Sequence, residues 1–130
     1  MENIVRSKLE QLEEMTWTDN EVTWLIDHIG DVDPVIRDEL VYNAISLSLI
    51  QEKFTLDQYH QRIPSTLQRS FTALMNACLI AVDDEVENKY YGQLTKEEKD
   101  YFFNQAILYL RKERSQTGHS TKYGWIHAIA

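Results

Sequence analysis

The densest run of chemically capable side chains lies between positions 27 and 38: Asp27, His28, Asp31, Asp33, Arg37 and Asp38. Imidazole and carboxylate groups are ligands for zinc or manganese, so this loop has the donor types of a metal site. It does not match a calcium loop. Asp31-Val32-Asp33 begins like one, but Pro34 follows and the glycine of the sharp turn is missing. A simpler reading gives each residue a structural task. Asp33 caps the helix that Pro34 opens, Asp31 sits in a turn, and Arg37 pairs with an acid on a neighbouring repeat. Asp27, His28, Asp31, Arg37 and Asp38 are therefore candidate binding residues, and Trp125 and His127 near the other end of the chain join them.

The rest of the chain adds no catalytic set. The histidines are His28, His60, His119 and His127, and no two stand four apart as a helical metal pair would. Cys78, the only cysteine, sits in the apolar run Ala77 to Val82 with no positive charge close in sequence, so it reads as a small buried hydrophobe. No serine nucleophile elbow and no Gly-rich phosphate loop occurs. Asp83, Asp84, Glu85 and Glu87 read as a solvated helix end, although acid there opposes the helix dipole. Arg111, Lys112, Arg114, His119 and Lys122 read as a helix C-terminus followed by an exposed loop. No catalytic residue, metal ligand set or cofactor is assigned.

Helices must position these residues. Thr18-Asp19-Asn20-Glu21, Thr55-Leu56-Asp57-Gln58 and Thr95-Lys96-Glu97-Glu98 are capping boxes, each opening a helix. Apolar spacing predicts seven helices: one from Ile4 to Met15, one closed by Gly30, and one opened by Asp33-Pro34 carrying Leu40, Ala44 and Leu47. A short helix then stops before Pro64, and a long one follows with Phe71, Leu74, Met75 and Cys78. The sixth carries Leu108, and the seventh begins at Tyr123. The expected core is Leu40, Ala44, Leu47, Phe71, Leu74, Met75, Cys78 and Leu108. The three tryptophans, Trp17, Trp24 and Trp125, are expected to pack rather than form a groove mouth. The boxes recur 37 and 40 residues apart, the period of two-helix repeats. The expected fold is all-α, with antiparallel helix pairs wound as a HEAT-like right-handed α-solenoid, and the whole chain, 1–130, is one helical-repeat domain.

Composition narrows the partners. Net charge is −8. Residues 1–65 hold 5 Lys/Arg against 13 Asp/Glu, whereas residues 66–130 hold 8 of each. So acidic a chain is poorly suited to a nucleic acid backbone, which needs positive charge. No apolar run reaches the roughly 18 residues of a membrane helix. Met1 to Arg6 lacks the basic start and apolar core of a secretory leader, and a single cysteine forms no disulfide framework, so a cytoplasmic location is expected.

The stretch from Trp24 to Asn43, WLIDHIGDVDPVIRDELVYN, resembles a bacterial family known as domain of unknown function 2785. The run YGWIHAIA, Tyr123 to Ala130, is similar to a second signature of that family. The resemblance implies a helical, HEAT-like fold and no established activity. It also implies that similar chains continue past the Trp125-Ile126-His127 segment, so this one is expected to be the N-terminal part of a longer protein. The functional expectation is a non-enzymatic module that binds a protein or peptide, with a homodimer through the apolar C-terminal segment as a further expectation. The rival is a metal-binding protein or metal-dependent enzyme using the Asp and His residues of positions 27–38. Convergence of His28, Asp31 and His127 would favour that rival.

Overall fold

The computed structural model describes residues 1–69 and 73–116 of the 130. Among them every regular element is helical and no strand occurs. The elements are α1 (Glu2–Glu10), a 3₁₀ turn (Leu12–Glu14), α2 (Asp19–Asp27), a π-helical stretch (Val35–Tyr42) running into α3 (Asn43–Ile50), α4 (Leu56–Arg69), α5 (Ala73–Asp84) and α6 (Lys96–Gln116). The expected seventh helix, from Tyr123, lies outside the described residues.

All three capping boxes form as their sequences require. Thr18 Oγ1 accepts from Glu21 N at 3.2 Å while Glu21 Oε1 accepts from Thr18 N at 2.9 Å. Thr55 and Gln58 exchange the same two bonds at 3.0 Å, and Thr95 and Glu98 at 2.9 and 3.1 Å. Each threonine follows a buried apolar residue, Trp17, Phe54 or Leu94, which fixes the angle at which the chain enters the helix.

These three entry loops are bonded to one another. Gln58 Nε2 donates to Trp17 O and to Asp19 Oδ1, so the second box is tied to the first. The Tyr90 hydroxyl accepts from Phe54 N and donates to Phe54 O, and Asn88 Nδ2 donates to Leu49 O, so the loop before the third box is tied to the second. In the packing, α3 lies against α1 and α5, α4 against α2, α5 and α6, and α5 against α6. The core between them includes Val5, Leu25, Leu40, Ile45, Leu49, Phe54, Tyr59, Met75, Leu79 and Phe102, all essentially inaccessible.

Several expectations are corrected here. The first helix ends at Glu10, with Leu12 and Met15 buried from a 3₁₀ turn and an extended residue instead. The fourth helix passes through Pro64 to Arg69, so it does not stop before Pro64 as expected. Proline removes one N–H donor there, and the cost of placing it mid-helix, about 3 kcal/mol, is offset by the burial of Pro64 together with Tyr59, Ile63 and Leu67.

Leu47 is 36% and Leu108 55% exposed, against the expectation of burial. Through the π-helical stretch and α3 the buried rows are Leu40-Ala44-Ser48 and Val41-Ile45-Leu49, four-residue steps that pass over Leu47. Ser48 takes a core slot through its bond from Trp17 Nε1 at 2.7 Å. In α6 the buried positions are Phe102 and Ala106, which turns Leu108 outward. Cys78 is only partly buried, with burial pushing its thiol pKa up. Leu40, Ala44 and Met75 are buried as expected; the side chains of Phe71 and Leu74 lie outside the described residues.

Candidate functional site

The corner between α2 and the π-helical stretch gathers most of the sequence-predicted polar residues. His28 stands at the C-cap of α2. Its ring stacks on Trp24, centroids 4.1 Å apart and planes at 22°. Its Nδ1 lies 2.7 Å from Trp24 O. A carbonyl only accepts, so Nδ1 carries the proton and the neutral ring keeps its lone pair on Nε2. That Nε2 lies 4.0 Å from Asp31 Oδ2.

The acids beyond it shape the backbone. Asp31 Oδ1 accepts from Asp33 N at 2.8 Å, and Asp33 Oδ1 accepts from Val35 N at 2.9 Å. Asp33 O also accepts from Arg37 N. Asp33 is thus the N-cap of the next helix, as the sequence indicates. Arg37 is corrected. Its guanidinium grips the adjacent Asp38 with two bonds, 2.9 and 3.1 Å, rather than an acid on a neighbouring repeat. That grip raises the Arg37 pKa and lowers the Asp38 pKa, each chiefly by the shared hydrogen bond. The charge of Asp31 adds to the Arg37 shift.

The structure therefore brings His28, Asp31, Arg37 and Asp38 to one corner. Asp27 is on α2 but points into solvent. Trp125 and His127 lie outside the described residues, so a meeting of His28, Asp31 and His127 is not described. Among the described residues no three His, Cys, Asp or Glu side chains are placed to hold a metal ion. One imidazole, one carboxylate and a self-neutralised Arg–Asp pair contain no nucleophile with its base. What they present is a polar surface beside Val32 and Val35, which are 94% and 43% exposed.

A second constellation was not legible as a site. Asp83, expected in a solvated helix end, is 1% exposed. Its Oδ1 accepts from Leu94 N at 2.8 Å and its Oδ2 lies 3.2 Å from Lys99 Nζ. Lys99 also reaches Asp84 at 3.0 Å, and the bonds to Asp84 and Asp83 raise its pKa. The basic partner of the acidic run is thus one turn into the helix that the third box opens. Tyr59 stacks on Tyr90 at 4.6 Å, and burial raises both phenol pKa values. Among the described residues the Tyr59 hydroxyl and the Asn76 amide are buried without a hydrogen-bond partner. Neither Tyr59 nor Asn76 stands out in the sequence: Asn76 sits in an apolar run and Tyr59 follows the second capping box.

No helix among the described residues is long and apolar enough to cross a membrane. Comparison with curated proteins finds no match. Comparison with solved structures finds none either. A family model matches residues 59–130. The run from Tyr123 to Ala130 falls inside that match, and the stretch from Trp24 to Asn43 lies before it. With more than half of its length matched, the chain belongs to the family described as Protein of unknown function (DUF2785).

Proposed function

We propose that this chain is a HEAT-like helical-repeat module, a right-handed α-solenoid of antiparallel helix pairs, that binds a protein or peptide without catalysing a reaction. The observation that carries the reading is the bonding of equivalent entry loops. Gln58 reaches Trp17, and Tyr90 reaches Phe54, across separations of 41 and 36 residues. Repeats joined to neighbours in this way build an extended surface, which repeat proteins use for binding. The corner of Val32, Val35, His28, Asp31, Arg37 and Asp38 supports it, since exposed apolar residues rimmed by polar ones are common in contact sites. Asp27, Trp125 and His127 belong to the same proposal, as do a cytoplasmic setting and a homodimer through the C-terminal segment.

A photo-reactive amino acid at Val32 tests this in the source cell. The expected outcome is one discrete crosslinked partner from Val32 and none from the same group at exposed Lys96. Absence of any adduct from either position would sink the reading.

The metal-site alternative is favoured by one observation, the 4.0 Å approach of His28 Nε2 to Asp31. It is tested by melting the protein with and without zinc, manganese and calcium, since a ligand that binds only the folded state stabilises it by mass action. We expect no shift for wild type or for Asp31→Ala. A rise of several degrees that disappears in Asp31→Ala would put the metal site first.

A further inference from the structure

α3 is apolar nearly all round: Ala44, Ile45, Leu47, Leu49 and Ile50 fall within two turns. A helix of that composition is ordinarily covered on every side. Among the described residues only one side is covered. Leu47 and Ile50, three residues apart on the same face, are 36% and 55% exposed. Beside them a cavity of about 460 Å³ opens between α3 and the segment that ends α1, with Leu9, Leu12 and Leu47 among its lining residues. That volume is within the range of side-chain and small-molecule pockets.

The lining also carries Glu10, Glu13 and Glu14. Among the described residues none of these carboxylates has an ion-pair partner. Lys8 gives its ammonium to Thr16 O and Glu21, and Lys53 gives its to the backbone carbonyl of Glu13 rather than to a carboxylate. The groove thus sets three leucines beside three carboxylates, an excess of negative charge over the Lys53 ammonium at Glu13.

The geometry points to this groove as the docking site for an amphipathic helix whose leucine-type stripe is flanked by lysine or arginine. This deepens the reading of the chain as a peptide-binding module and rests on it. Charge decides the occupant. An acidic or neutral helix leaves Glu10, Glu13 and Glu14 repelled or desolvated, while a basic one pairs them as the leucines are covered. Helix-in-groove recognition uses apolar anchors at every third or fourth position, and the spacing of Leu47 and Ile50 suits such a stripe.

The test uses two synthetic helices of roughly four turns, with the same leucine stripe and either lysine or glutamate at the remaining positions. Each is titrated into the full chain while backbone amide shifts are followed by NMR. The lysine helix is expected to bind saturably, with shifts concentrated at residues 9–14 and 47–51. Glu13→Lys with Glu14→Lys should weaken it about tenfold, and Leu47→Lys by about the same factor. Leu47 is partly exposed, so its variant should keep the wild-type circular dichroism and melting temperature. Affinity should fall as salt is raised, as screened charges require.

Equal binding of the glutamate helix, or binding unchanged in the variants, would overturn the proposal. Shifts at the Val32 corner instead would overturn it too, but would leave the module reading intact. Loss of the module reading is signalled separately, by the absence of any crosslinked partner at Val32.

Discussion

The Tyr90 hydroxyl accepts from Phe54 N at 2.9 Å and donates to Phe54 O at 2.7 Å, all inside the core. Phe54 O keeps a second donor, Lys89 Nζ, at 3.0 Å, but among the described residues Phe54 N has no other partner. Tyr90→Phe therefore leaves one buried N–H unsatisfied and should cost about 1–3 kcal/mol in denaturant titration. A change below about half a kcal/mol would mean that water replaces the hydroxyl. Asp83 permits a sharper comparison. Its substitution leaves Lys99 still paired with Asp84, so the main loss is the acceptor for Leu94 N. Asp83→Asn, which keeps an oxygen for that amide, should be milder than Asp83→Ala. If the two variants unfold alike, the charge of Asp83 rather than its acceptor is what matters.

At the scale of elements, burial separates residues that look equivalent in sequence. Leu40 is 1% exposed and Leu108 is 55% exposed. Leu40→Ala should cost about 2–5 kcal/mol, whereas Leu108→Ala should stay within about 0.5 kcal/mol, as surface changes do. Thr18→Ala should cost about 0.5–2 kcal/mol through its lost cap. Near-equal costs for Leu40 and Leu108 would show that α6 presents another face. Helix starts were legible because capping is local chemistry: Thr18, Thr55 and Thr95 each need only a Glu or Gln three residues on. Faces and breaks were less so, because they depend on what packs against them. Nothing in Val35 to Tyr42 announces a π-helical turn, and Ser48 takes the core place expected of Leu47 through a bond from Trp17, far off in sequence. Proline normally marks a boundary, but at Pro64 burial overrides it. At the corner, the cap of Asp33 was legible, whereas the choice of Asp38 by Arg37 depends on the turn geometry. The role of Asp83 was hidden because its partners, Leu94 N and Lys99, lie beyond a loop.

For the whole molecule, ionisation sets the limits of stability. Burial pushes the Glu21 carboxyl up, but bonds and charge from Lys8 and bonds from Thr18 outweigh it, and its pKa ends below the usual value. A lowered carboxyl pKa stabilises the fold above the unfolded value of about 4.3 and loses that contribution as pH falls through the folded one. Tyr59, Tyr90 and Lys99 have raised values. Their contribution is present below the unfolded values, about 10, and is lost as pH rises through the folded ones. Calorimetry should therefore give a melting temperature that falls both below about pH 4 and above about pH 10, with a shallower acid limb in Thr18→Ala. A melting temperature unchanged down to pH 3 would show that Glu21 is not held this way. The bonds between entry loops also bear on how the chain opens. Loop amides ordinarily exchange their hydrogens with water quickly, because little shields them. Phe54 N and Leu94 N are loop amides that donate instead to buried side chains, Tyr90 and Asp83. Neither can meet solvent until those side chains move away. Their deuterium uptake should be as slow as that of the central helices, timing the opening of the core around Tyr90 and Asp83 rather than the fraying of a loop.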